Sequence, residues 1–273
     1  MKTRTTFIMG GILLAQALCA CKKSTNTAAV SDNGAKTPSA RLKTLSGSML
    51  VESLTGDITA NEKSAFINYM SGIAPPTHND QNIWVFGNSG KQIEACGLMY
   101  DATGDRTILD QMITLCDAAL AGRNDLASAA NGGQRTIWTG NIEPVWPSTD
   151  ATASPQQAGI EQGQILSHMA FCAKLILQHS SLWSTTVTNG DPHGYGATYK
   201  ARALTYIAQA DYVIDNWITP HFVRSSDKKL YFPGAPNPYK PNEPAPWNQM
   251  FMVTNAMTRL IACHLILSDA ATR

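Results

Sequence analysis

Five stretches of this chain place side chains able to move protons or hold polar ligands at short spacing. Glu161 and His168 lie seven residues apart, with Gln164 between them. On one helix that spacing puts all three on nearly the same face, two turns long. Polar groups on a helix otherwise striped with apolar residues imply a polar cleft, although a simply solvated face has the same spacing. In the run from Trp138 to Pro147, Trp138 and Trp146 flank Asn141 and Glu143. Sugar rings have apolar faces and hydroxyl edges, so aromatic platforms beside amide and carboxylate groups suit them. A packed loop whose tryptophans seal the edge of the core fits that pattern equally. Asp191-Pro192-His193-Gly194-Tyr195-Gly196 is turn-rich. It offers His193 and Tyr195 to a ligand, or merely caps the next helix. The segment from Pro220 to Pro233 gathers His221, Arg224, Lys228, Lys229 and Tyr231. A tyrosine among cations gains Coulombic stabilisation of its phenolate, which suits it to general base and acid work. A surface loop of scattered charges is the plainer alternative. Finally, Trp247, Asn248 and Gln249 open a helix that carries Asn255 further along. Amides at a helix N-terminus sit where the dipole favours anions.

These groups need a frame, and the apolar periodicity predicts a helical one. Ser89-Gly90 opens a helix to Ala102 with Ile93, Cys96, Gly97 and Tyr100 on one face. Gly104 and Asp105 make a tight turn, with Asp105 as N-cap of a second helix striped by Leu109, Ile113, Cys116 and Leu120. A further pair is striped by Ile165, Met169, Cys172 and Ile176, and by Tyr206, Ala210, Val213 and Trp217. A fifth long helix carries Met250, Val253, Met257, Leu260 and Leu267. No strand-like alternation runs over comparable length. Hairpins of this kind predict an all-α fold, specifically an α/α toroid, a ring of helical hairpins around a cleft. Residues 123–156 and 219–247 are long loops rich in Pro, Gly, Trp and Asn. Ordered loops of that length are usually functional, and in a toroid they would cover one mouth of the ring. Five long helices make at most an incomplete ring, so the sequence is expected to be an open ring or, in preference, a piece of a longer chain.

Composition limits the function classes. The chain has 273 residues, 44% hydrophobic and 15% charged, with net charge +1. That argues against disorder and against a basic nucleic-acid footprint, so no nucleic-acid partner is expected. After the first twenty residues no apolar run is long enough to span a membrane. Lys2 and Arg4 precede an apolar stretch from Phe7 to Leu18, followed by Cys19-Ala20-Cys21. This is the shape of a bacterial export signal. Its end resembles a lipoprotein signal with Cys21 as the lipidated residue, plain cleavage after Ala20 being the alternative. The reading gives a signal over 1–21, a Ser/Thr/Asn/Ala/Lys-rich tether over 22–45 and a folded domain over 46–273. The protein is expected in the cell envelope, touching the membrane only through a lipid at Cys21, or else secreted, and monomeric. Cys96, Cys116, Cys172 and Cys263 have no metal-like grouping. Buried free thiols are favoured over a Cys96–Cys116 bridge.

Taken together, W-T-G-N-I-E-P-V-W-P, G-I-E-Q-G-Q-I-L-S-H, D-P-H-G-Y-G-A-T-Y-K, P-H-F-V-R with L-Y-F-P, and P-W-N-Q-M-F-M-V-T-N-A-M-T-R-L resemble a family of uronate polysaccharide lyases. The named family is polysaccharide lyase family thirty-eight, whose α/α toroid members cleave alginate or glucuronan; the resemblance covers roughly 80–270. It implies β-elimination beside a uronate carboxylate, with an anionic polysaccharide as substrate. Tyr231 would then be base and acid, and Arg224 would keep its phenol acidic and contact the uronate. His168 would help neutralise the carboxylate or serve as base. Glu161 would act as a protonated acid or orient His168. Trp138, Asn141, Glu143, Trp146, Gln164, His193, Tyr195, Trp247, Asn248 and Gln249 would line the substrate. No cofactor and no metal is called for if protein groups neutralise the charge. Two other classes remain open. A glycoside hydrolase on a toroid would pair carboxylates from Glu143, Glu161 and Asp191. A lipid-anchored glycan-binding protein would use the Trp138, Trp146 and Trp247 platforms.

Overall fold

The structure, a computed structural model, describes residues 56–78, 83–150, 152–233 and 242–271. The expected signal, tether and lipidation site at Cys21 lie outside the described residues. All described residues belong to one compact unit, Ser46–Arg273. It is all-α: seven α-helices and some shorter turns, with only isolated β-bridges among the described residues.

Helix α1, Ala60–Ser71, starts at a capping box in which Thr59 and Glu62 satisfy each other's backbone N–H groups. Helices α2, Asn88–Thr103, and α3, Arg106–Ala121, form the expected hairpin. Gly104 takes a left-handed φ of 64° and returns its N–H to Tyr100 at 2.7 Å. Asp105 then caps α3 through the Thr107 N–H at 3.0 Å. The α3 stripe is wholly buried, as its spacing predicts.

Helix α4, Gly163–Gln178, is the centre of the molecule: 13 of its 16 residues are buried. It packs against α2, α3, α5 and α7. A helix apolar on nearly every side must be surrounded, because only burial removes that surface from water. Two glycines permit the approach. A Cβ on Gly97 of α2 would lie 2.5 Å from the Phe171 ring, and one on Gly163 would lie 2.6 Å from the Val253 backbone nitrogen of α7.

Helix α5, Tyr199–Val213, continues through a π-helical turn, Ile214–Ile218, into the short α6, Thr219–Phe222. Helix α7, Trp247–Ala271, keeps most of its expected stripe but departs from expectation in two ways: Met257 leaves the buried face, and Trp247–Asp269 is, by length and composition alone, long and apolar enough to cross a membrane, contrary to the sequence reading. Val253, Leu260, Ala256 and Cys263 are buried, whereas Met257 is 44% exposed. The seam therefore takes the small Ala256 in place of its neighbour Met257, and on the α4 side Gly163 lets α7 sit close. Cys96, Cys116, Cys172 and Cys263 are all buried free thiols, as favoured.

Between α3 and α4 the loop 122–159 is held from inside. Asn124 donates to the carbonyls of Arg135 at 2.9 Å and Glu143 at 3.3 Å, and its own side-chain oxygen accepts from the Arg135 N–H at 2.8 Å. One amide side chain thus does the work of a turn, which is how an irregular segment stays ordered.

Candidate functional site

The stretch after α6 folds back as a small hairpin. Val223 pairs with Leu230, the Arg224 N–H donates to the Lys229 carbonyl at 2.9 Å, and the Tyr231 N–H donates to Phe222 at 2.8 Å. This pairing sets Arg224 and Tyr231 side by side, as the sequence expects. The Arg224 guanidinium lies 3.6 Å from the Tyr231 ring centre and donates from Nη2 to the phenol oxygen at 2.6 Å. It also pairs with Asp227, whose carboxyl it holds down to about 2. Arg224, Tyr231, His221 and Phe232 line an open hollow of about 180 Å³.

Behind this hollow is an aromatic wall. The His221 ring stands 4.8 Å from Trp217 and 5.6 Å from Trp138. Its Nε2 is 4.0 Å from a Glu143 oxygen, which accepts from Thr139 at 2.7 Å. Burial pushes the His221 pKa down against the pull of Glu143, so its neutral form is favoured. His221 lies outside the expected site residues, yet it links the Glu143 loop to the hollow lined by Arg224 and Tyr231.

Several expected positions are corrected. Trp146 is fully buried; its indole N–H donates to the Ala119 carbonyl at 2.7 Å, and its backbone exchanges hydrogen bonds with the Gln162 amide. Trp138 is 7% exposed and donates to the Ala158 carbonyl at 2.8 Å. Both tryptophans seal the core edge and leave no open ring face for a sugar. Glu161 does not share a helical stripe with His168. It sits in a 3₁₀ turn, Ile160–Gln162, ahead of α4, and its Oε1 accepts from the Gly159 N–H at 2.7 Å. Burial raises its pKa, and its Oε2 has no hydrogen-bond partner.

The partner of His168 is instead Glu94 of α2, with Glu94 Oε2 2.7 Å from Nδ1. Arg259 of α7 clamps the same carboxylate at 2.8 and 2.6 Å, and also donates to the Ser167 carbonyl and hydroxyl. Burial raises the Glu94 pKa, but Arg259 and His168 more than offset it and hold the group down at about 2. Gln164 does reach His168, its amide nitrogen 2.9 Å from Nε2. Neither Glu94 nor Arg259 is among the expected site residues, although Arg259 lies in the stretch P-W-N-Q-M-F-M-V-T-N-A-M-T-R-L. No hydrogen bond, ion pair or ring contact among the described residues joins His168 to Arg224 or Tyr231, so the expected catalytic set divides into two clusters.

The remaining positions are dispersed. His193 stacks on Tyr195 at 5.2 Å in a turn fixed by Asp191, which accepts the Tyr195 and Gly196 N–H groups. Asp191 also pairs with Arg202, a fully buried arginine of α5 bound to Asp117. Asn141 is exposed at its loop tip. Trp247 is 79% exposed at the start of α7 and Asn248 beside it is exposed, while Gln249 is half-buried. Among the described residues no cluster of three or more His, Cys, Asp or Glu could hold a metal ion. No family model, no curated protein and no solved structure matches this chain.

Proposed function

We propose that this protein is an exported polysaccharide lyase that cleaves a uronate polymer, alginate or glucuronan, by β-elimination. The observation that carries this reading is the Arg224–Tyr231 pair on the wall of an open hollow. Elimination moves one proton from C5 of the uronate to the glycosidic oxygen on C4, breaks the C4–O bond and leaves a C4–C5 double bond. A tyrosine oxygen that accepts from a guanidinium is stabilised as the phenolate, the form a base requires. The adjacent positive charge offsets the charge that develops as the proton moves. Tyr231, starting as the phenolate, would take the C5 proton and so become the phenol that gives this proton to the leaving oxygen as the C4–O bond breaks, with Arg224 between it and the uronate carboxylate. His221 would line the same space. The hairpins α2–α3 and α4–α5, and the long loops beside them, fit an α/α toroid, and we read the fold as part of one.

The hydrolase reading has less support, because its carboxylates are already engaged. Glu161 turns back onto Gly159, Asp191 holds a turn and Arg202, and Glu143 accepts from Thr139. The test is the ultraviolet absorbance of alginate and glucuronan incubated with purified protein. A rise from the unsaturated uronyl end is expected. Tyr231→Phe should lower its rate by about 10²-fold or more. No rise on either polymer, or an undiminished rate in the variant, would refute the assignment.

A further inference from the structure

Hydrogen-bond direction can be followed from α7 inward and out again. Arg259 can only donate, so it fixes both Glu94 oxygens as acceptors. At 2.7 Å from a carboxylate oxygen, His168 Nδ1 must carry a proton. Nε2 faces the Gln164 amide nitrogen at 2.9 Å, a group that can only donate, so Nε2 is the acceptor. Every donor in this relay points toward Glu94. The Gln164 amide is therefore locked: one N–H faces His168, and its carbonyl oxygen and second N–H are left for other partners.

Gln164 lines an open depression of about 600 Å³ shared with Asn248, Phe251, Thr254, Asn255 and Thr258 of α7. The hydroxyls of Thr254 and Thr258 donate to carbonyls one turn back, at 2.9 and 2.8 Å. Both residues are exposed, and with its proton engaged each hydroxyl is left to act as an acceptor. Among the described residues no charged side chain lines this space, and Arg259, one position past Thr258, is engaged by Glu94. Side-chain amides supply both donors and acceptors, and Phe251, 64% exposed, supplies an apolar face. A carboxylate would find no counter-charge here; a hydroxylated ring finds both of its surfaces matched.

We propose that the α4–α7 depression is a binding subsite for the uncharged, hydroxyl-bearing face of a sugar. Gln164 is its orienting residue, held by the Arg259–Glu94–His168 relay. The choice of a sugar rests on the glycan reading above, but the subsite is separate from the Arg224–Tyr231 hollow. Nitrogen NMR of His168 should show a pyrrole-type Nδ1 and a pyridine-type Nε2. The side-chain amide of Gln164 and His168 Nε2 should then shift on titration with cellotetraose, a probe without carboxylates. Tetrasaccharides from glucuronan and alginate run beside it. Gln164→Ala should weaken cellotetraose binding by about tenfold, the worth of one good neutral hydrogen bond in a site. A protonated Nε2 at neutral pH overturns the relay. Shifts with the uronates alone, or with none of the three sugars, overturn the subsite. Failure of the elimination assay would refute the lyase reading and leave these outcomes to decide the subsite.

Discussion

Arg202→Met is the most demanding test of what holds the α3–α5 side of the molecule. The Arg202 guanidinium is fully buried and makes four hydrogen bonds: to Asp117, to Asp191 at 3.0 Å, and to the carbonyls of Gly190 and Gly196 at 3.0 Å each. Methionine keeps the stem's volume but leaves Asp117, 6% exposed, with only the Tyr206 hydroxyl at 2.6 Å. Removing one member of a buried pair costs about 3–5 kcal/mol. The Asp191 contact adds little, since that carboxylate is half-buried and partly hydrated. A total of about 4 kcal/mol is a large share of the ~5–15 kcal/mol available to a domain. Urea denaturation followed by circular dichroism should show a midpoint lowered by about 1.3–2 M, for a slope of ~2–3 kcal/mol/M. The pH dependence identifies the cause. Burial raises the Asp117 pKa even against Arg202, so the folded state holds this proton better than the unfolded state. Protonation thus favours folding, and more strongly once Arg202 is gone. The gap between wild type and Arg202→Met should narrow as pH falls from 7 toward 4. Asp117→Asn in the Arg202→Met background should recover about 1–3 kcal/mol by removing the stranded charge. A loss below about 1 kcal/mol, or a gap indifferent to pH, would refute the argument.

Two further perturbations probe α4 and its neighbours. Glu94, lowered from 4.5 to about 2, contributes stability that is complete above pH 4.5 and fades as pH falls through 2. With a quarter of its side chain exposed, about 1–2 kcal/mol is expected after screening. The stability difference from Glu94→Gln should therefore shrink between pH 6 and pH 3 in urea melts, and a constant difference would count against it. Gly163→Ala places a Cβ 2.6 Å from α7 backbone that has no rotamer by which to yield. It should cost about 1–3 kcal/mol, or about 2–12 °C in Tm by calorimetry, and an unchanged Tm would mean that α7 moves freely.

What the sequence made legible follows the range of the interaction. Asp105, Gly104 and the α3 stripe act within one or two turns, so composition and spacing announced them. Glu94 was silent because its partners are 74 and 165 positions away, His168 and Arg259. On α2 it stands beside Ile93 like any flank residue. Glu161 was misplaced because a spacing of seven assumes one unbroken helix, whereas a 3₁₀ turn precedes Gly163. The tryptophan loop was ambiguous in principle: a ring that stacks on sugar and a ring that closes a core have the same neighbours in sequence. On α7, Met257 weighs more in an apolar pattern than Ala256, but close packing prefers the smaller residue. Arg224 and Tyr231 were found together because a short hairpin joins them.

The π-helical turn at Ile214–Ile218 makes chain length itself a variable in this fold. A wide turn holds one residue more than an α-turn and so shifts the phase of everything after it by about 100°. Here that shift lets Trp217, Ile218 and Phe222 all face inward, with Trp217 donating to the Gly159 carbonyl at 3.0 Å. Deleting exposed Asn216 would restore an ordinary helix and rotate His221 and the hairpin behind it away from Trp138. Shortening the tip near Gly133 by one residue would turn no helix at all. Tolerance to single-codon deletions along this gene should therefore track helical phase rather than exposure.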